Sequence, residues 1–186
     1  IQGEKTGYFH AEVIGGKNYI IDPLGNPFYS MAINTVNSGS TTNQKNVTVQ
    51  KYGSEEEFYK QIAEELWDGF GINTIFGSKN MGYPILMENG MVCVVSVNGI
   101  GGYMKDLGLS VSTGGSSGYY YNNTMNVFDP DFITSVDKSV AEATALYKGQ
   151  QYLLGYTLDN ELPGGMDILT RYLTIPAGEP VNAFSY

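Results

Sequence analysis

Few cysteines, few charges and no long apolar run set the first limits on this chain. Cys93 is the sole cysteine, so an intramolecular disulfide is excluded and packing must hold the fold. It stands in Met91-Val-Cys-Val-Val-Ser-Val97, a strand-like run where a thiol is expected to be buried and inert rather than nucleophilic. That run is the longest apolar stretch, far short of the roughly 20 residues a membrane-spanning helix needs, so no membrane insertion is expected. Ten Lys and Arg against 19 Asp and Glu leave a net charge of −9. The basic residues are scattered, whereas phosphate neutralisation needs them clustered, so no nucleic-acid partner is expected. His10 is the only histidine; with no second histidine or cysteine near it in sequence, it reads as solvated or packed rather than as a metal ligand.

What the chain has in quantity is aromatic and small residues. Fifteen Tyr, eight Phe and 24 Gly give it the look of a carbohydrate-active or extracellular protein. With 42% apolar and only 16% charged residues, it can bury one substantial core, in one or at most two domains.

Along the chain, Gly7 to Ile14 alternates as a strand, and Tyr19 to Tyr29 reads as a hairpin with turn formers at Asp22-Pro23 and Gly25-Asn26-Pro27. Phe28 to Val36 is a mainly apolar strand, followed by a loop from Asn37 to about Gly53. Ser54-Glu-Glu-Glu57 then matches a capping box, opening a helix whose packed face carries Phe58, Ile62, Leu66 and the adjoining Trp67. Ile72 to Phe76 and Met91 to Val97 are the next strands, and Ser78 to Gly90 between them is too short and too rich in Gly, Asn and Pro for a full crossover helix. A long surface loop is expected over Gly99 to Asn126, where Tyr119-Tyr-Tyr121 either stacks on sugar faces or caps the sheet edge. Asp129 caps a further helix with Ile133, Val136, Val140, Ala143 and Leu146 on its packed face, and Tyr152 to Leu158 forms the last core strand.

Strands alternating with helices predict a parallel α/β sheet, whose sites gather at the C-terminal strand ends. The first three exits carry Asn34, Asn73 with Ser78, and Asn98; the fourth delivers Asp159, Asn160 and Glu161 just before a Pro-Gly-Gly turn. A carboxylate such as Glu161 at a strand exit is placed for general acid or base work, and its alternative is a solvated strand end.

Gly155-Tyr-Thr-Leu-Asp-Asn-Glu-Leu162 resembles the Gly-Tyr-Phe-x-Asp-Asn-Glu-Leu signature of the agarase-like glycoside hydrolases, which belong to a clan of (β/α)8 retaining glycosidases. Three further segments are similar to that family, in its order: Ile21-Asp-Pro-Leu-Gly-Asn-Pro-Phe-Tyr-Ser-Met-Ala-Ile-Asn-Thr35, Trp67-Asp-Gly-Phe-Gly-Ile-Asn-Thr74 and Val127-Phe-Asp-Pro-Asp-Phe132. The resemblance implies a TIM-barrel fold with only about the first four β/α units present: residues 1–27 form an N-terminal hairpin extension and 28–186 the N-terminal half of the catalytic barrel. It implies hydrolysis of a galactan-type polysaccharide such as agarose, with Glu161 as general acid/base and Asn160 bonding the sugar 2-hydroxyl. Asn34, Asn73, Asn98, Tyr156 and Phe76 would line the sugar subsites. No metal or cofactor is expected, because the reaction needs only carboxylates.

The departure from the family is the second carboxylate. Its nucleophilic Glu lies at the end of strand seven, and a full (β/α)8 barrel takes about 250 residues. Asp129, Asp131 and Asp159 are candidates by proximity only. A second chain or a missing C-terminal half is therefore expected to complete the barrel, and the chain alone is not expected to be a self-sufficient enzyme. The alternative is a non-catalytic carbohydrate-binding protein derived from a glycosidase barrel. A polysaccharide substrate implies a secreted, periplasmic or cell-surface location.

Overall fold

The computed structural model describes residues 1–78, 82–106 and 130–159. They fall into two compact units. The first takes Ile1–Ser96 with Leu146–Thr157, and the second begins at Val97 and includes Leu158.

The first unit opens with an antiparallel sheet ordered β1 (His10–Ile14), β2 (Lys17–Ile21) and β3 (Pro27–Phe28). Gly15 and Gly16, both at positive φ, make the tight β1–β2 turn, a backbone geometry that suits the right-handed twist of the flanking strands. The β2–β3 connection is held by Asp22, whose carboxylate accepts from the Leu24 and Asn26 N–H groups, both at 2.8 Å. The turn formers at Asp22 to Pro27 thus join antiparallel strands as their composition predicts.

The second sheet is ordered β4 (Ala32–Asn34), β5 (Thr74–Ser78), β6 (Val92–Val97) and β7 (Leu153–Leu158). β4 and β6 both run parallel to β5. β7 joins β6 through bonds from Cys93 N–H to Tyr152 O and from Asp159 N–H to Val97 O. Residue numbers rise together along both strands, so this pair is parallel too. Ile75, Cys93 and Val95 supply one face of the core. Against it pack Tyr59, Ala63 and Leu66, together with Tyr83, Leu86, Met87 and Tyr147.

Two helices of the first unit lie where no helix is expected from the sequence. α1 (Thr42–Tyr52) starts at Thr41 in a capping box with Gln44 and buries none of its residues; Val47 and Val49 face solvent. With no apolar stripe to mark it, only the cap spacing announces it. α3 (Tyr83–Glu88) is a six-residue helix with proline in its first turn. Short as it is, it makes the parallel connection from β5 to β6 and buries Tyr83, Leu86 and Met87.

α2 (Glu55–Glu64) begins at Ser54, whose side chain accepts from Glu57 N–H. The Glu57 carboxylate does not complete the expected box; it pairs with Lys60 at 3.2 Å. Phe58 and Ile62 pack on the core as the spacing predicts. The Trp67 expectation fails: over Glu65–Gly69 the chain winds as a π-helical turn. The wider turn shifts each side chain's bearing relative to a 3.6-residue helix, so Leu66 stays buried while Trp67 is 56% exposed.

In the second unit, α4 (Gly99–Asp106) occupies the start of the expected long loop, whose remainder, with Tyr119 to Tyr121, lies outside the described residues. α4 packs on α5 (Pro130–Ala145) through an edge-to-face pair of Tyr103 and Phe132, centroids 5.0 Å apart. Ala143 is buried as its spacing predicts, but Ile133 faces solvent. The expected cap, Asp129, also lies outside the described residues. Among the described residues no helix is long and apolar enough to cross a membrane.

Candidate active-site face

The exit of β4 brings two of the expected residues together. Asn34 and Phe76 are register partners, so their side chains share a face of the sheet, and Phe76 is 38% exposed. The chain leaves β4 through Thr35 at φ 52, with its N–H donating to Phe76 O at 2.7 Å. A β-branched residue in the left-handed region is unusual and costs on the order of 1–2 kcal/mol. Beside it, a side chain on Gly77 would stand 2.6 Å from the Tyr83 hydroxyl and 3.1 Å from Thr35 Oγ1, so the strand passes there only because that residue is glycine. The Tyr83 hydroxyl is buried without a hydrogen-bond partner, and burial pushes its pKa up. Tyr156, on β7, is likewise 38% exposed, and partial burial raises its phenol.

The exit of β7 in the second unit has the same backbone feature. Asp159 sits at φ 51, and it and Thr35 are the two non-glycine residues at positive φ among the described residues. Its N–H bonds Val97 O at 2.7 Å. Its Oδ2 lies 3.7 Å from where a side chain on Gly99 would begin, which sets the carboxylate at the N-terminus of α4, where the helix dipole favours negative charge. Asn98, the exposed residue after β6, stands just ahead of that helix and is itself engaged in an interaction. Strained conformations cluster at functional sites, and both left-handed residues here follow a parallel strand by one position. Asn160 and Glu161, the residues after Asp159, lie outside the described residues.

Asn73 belongs elsewhere. It precedes β5, so it stands at the entry of the strand and not at its exit, roughly 10 Å from Phe76 at ~3.3 Å per residue. Its amide is spent on architecture: Oδ1 accepts from Met31 N–H at 2.9 Å and from the Thr74 hydroxyl at 2.8 Å, and Nδ2 donates to Tyr29 O at 2.9 Å. Such an asparagine ties the approach of β4 to β5. Its spacing in sequence resembles that of the exit residues, which is why sequence alone groups it with them.

Cys93 is fully buried, and burial pushes its thiol up to about 12, so it is protonated at neutral pH and not a nucleophile, as its setting predicts. His10 lies beside Glu12 at 3.3 Å. Among the described residues no group of three or more His, Cys, Asp or Glu could hold a metal ion.

The described architecture is a parallel sheet with helices between its strands and polar residues at strand ends. Two solved structures resemble it. The structure called BpGH50 matches with a TM-score of 0.70 at 18% identity, covering 97% of this chain and 41% of its own. The structure of an agarase, AgWH50C, matches with a TM-score of 0.61 at 16% identity, covering 95% of this chain and 34% of its own. At these identities the likeness is one of fold, and the chain spans about two fifths of the first protein and one third of the second. No family model matches the sequence, and no curated protein does.

Proposed function

We propose that this chain is the acid/base-bearing half of a retaining glycoside hydrolase, built as a (β/α)8 barrel and acting on a galactan-type polysaccharide such as agarose. The observation that carries the reading is the left-handed turn at Asp159, which ends a parallel strand immediately before Asn160 and Glu161 on a fold shared with an agarase. Glu161 protonates the leaving glycosidic oxygen as a second carboxylate about 5 Å away attacks the anomeric carbon. It then takes the proton from the water that hydrolyses the glycosyl-enzyme intermediate. Asn160 bonds the sugar 2-hydroxyl, and Asn34, Asn98, Phe76 and Tyr156 line subsites. Asp159, with its backbone bonded to Val97 and its carboxylate at the start of α4, positions the turn and is not the nucleophile. We assign the nucleophile to a C-terminal half or a second chain that completes the barrel. Since the polymer is met outside the cytoplasm, we place the protein as secreted, periplasmic or on the cell surface.

Turnover of agarose oligosaccharides tests the reading. The 186-residue chain alone is expected to show none, and activity is expected when the completing half is supplied. Robust turnover by the chain alone that Glu161→Gln abolishes would contradict the half-enzyme assignment. Turnover of the assembled enzyme that survives Glu161→Gln would contradict the role of Glu161.

A further inference from the structure

A cleft of about 430 Å³ lies in the first unit at the N-terminal ends of β5 and β6, against the antiparallel sheet. It is at the opposite end of these strands from Phe76 and Gly77. Its size falls within the ~300–1,000 Å³ typical of small-ligand sites. Phe9 and Phe28, edge-to-face with centroids 5.0 Å apart, form part of its wall.

We propose that this cleft binds a neutral saccharide, separately from the active-site face. Trp67, the only tryptophan in the chain, lines it while 56% exposed, and Tyr152 beside it is 39% exposed. Burying an indole removes ~150–250 Å² of surface from water, and more than half of this one is left exposed in the cleft wall. Here the π-helical turn over Glu65–Gly69 presents Trp67 outward, and such turns recur at functional sites.

The polar groups name the ligand class. Among the described residues no lysine or arginine lines the cleft, so phosphates and carboxylates find no cationic partner there, and a chain of net charge −9 repels them further. Asn73 and Asp22 are spent on rigid walls through the bonds described above. The Gln151 amide is exposed and makes no hydrogen bond to the described residues. Asn89 donates its Nδ2 to Ile85 O at 2.8 Å, leaving its carbonyl oxygen to accept. Neutral amides beside exposed aromatic faces fit a molecule with an apolar face of C–H groups and a rim of uncharged hydroxyls, which is a sugar ring.

The ligand class follows from the cleft itself; only the choice of an agarose-derived probe rests on the proposed function. Because Trp67 is the sole indole, its emission reports this cleft alone. The chain carrying Glu161→Gln, which cannot turn the probe over, is titrated with a neutral agarose hexasaccharide. A saturable change in Trp67 emission is expected, with the same midpoint in the unsubstituted chain. By calorimetry, Trp67→Ala is expected to weaken binding about tenfold, as loss of one aromatic contact would. Gln151→Ala is expected to weaken it by a smaller factor, and a sulfated galactan hexasaccharide to bind more weakly than the neutral one. Emission that does not move at millimolar hexasaccharide, unchanged affinity in Trp67→Ala, or equal binding of the sulfated probe would overturn the proposal. Failure of the catalytic reading leaves this titration intact, because the readout involves no hydrolysis.

Discussion

At its entry, strand β5 is anchored: Asn73 spends its whole amide on Tyr29, Met31 and Thr74. At its exit the same strand is crowded and under-satisfied, with Gly77 pressed against an unpartnered Tyr83 hydroxyl and Thr35 held in the left-handed region beside it. The two ends of one strand thus differ, the entry tied down by hydrogen bonds and the exit crowded beside a strained backbone. Asn73 and Asn34, alike in sequence setting, stand at opposite ends of their strands, one at the entry of β5 and the other at the end of β4.

Substitutions along β5 can break or sharpen this contrast, and urea unfolding reads each of them. Ile75→Ala, in the fully buried middle of the strand, sets the scale and should cost about 3 kcal/mol through lost burial and a cavity. Asn73→Ala should cost about 1.5 kcal/mol, the net worth of the bonds that tie Tyr29 and Met31 to β5, since water can re-engage those exposed backbone groups. At the exit the sign reverses. Tyr83→Phe removes a buried hydroxyl that bonds nothing and should stabilise by about 1 kcal/mol. Thr35→Gly should stabilise by only about 0.5 kcal/mol, since relief of the left-handed backbone is partly offset by the greater unfolded-state freedom of glycine. If Tyr83→Phe and Thr35→Gly destabilise as strongly as Asn73→Ala, the two ends are not built differently.

The alkaline limit belongs to the buried centre of the sheet. Cys93, raised from 9.0 to about 12, favours the fold fully below its unfolded value; that contribution is lost as pH rises from about 9 through about 12. At neutral pH it therefore imposes no pH dependence on stability.

Elements that bury an apolar face were legible in the sequence. The apolar run of β6 and the Phe58–Ile62–Leu66 spacing through α2 and the turn after it match the core they build. α1 was hidden because it buries nothing, and α3 because six residues with an early proline carry too little periodicity. Trp67 turns outward because the π-helical winding replaces the 3.6-residue turn on which its spacing predicts a packed position. Of the expected site residues, the strand-end position of Asn34 could be anticipated, since a strand end follows from where its apolar pattern stops; β5 runs on past Phe76 to Ser78. The left-handed geometry of Thr35 and Asp159 could not, because neither residue type requires it and tertiary bonds to Phe76 and Val97 impose it.

The most direct test of the role of Glu161 compares two leaving groups in the assembled enzyme carrying Glu161→Gln. Agarose oligosaccharides need a proton on the departing oxygen, whereas a dinitrophenyl galactoside does not. Turnover of the oligosaccharide should fall about 10²–10⁴-fold, the usual contribution of a general acid. Release of dinitrophenol in the first turnover should persist, and added azide should restore its steady rate. An equal loss on both substrates, or no loss on the oligosaccharide, would contradict the assignment of Glu161 as the general acid/base.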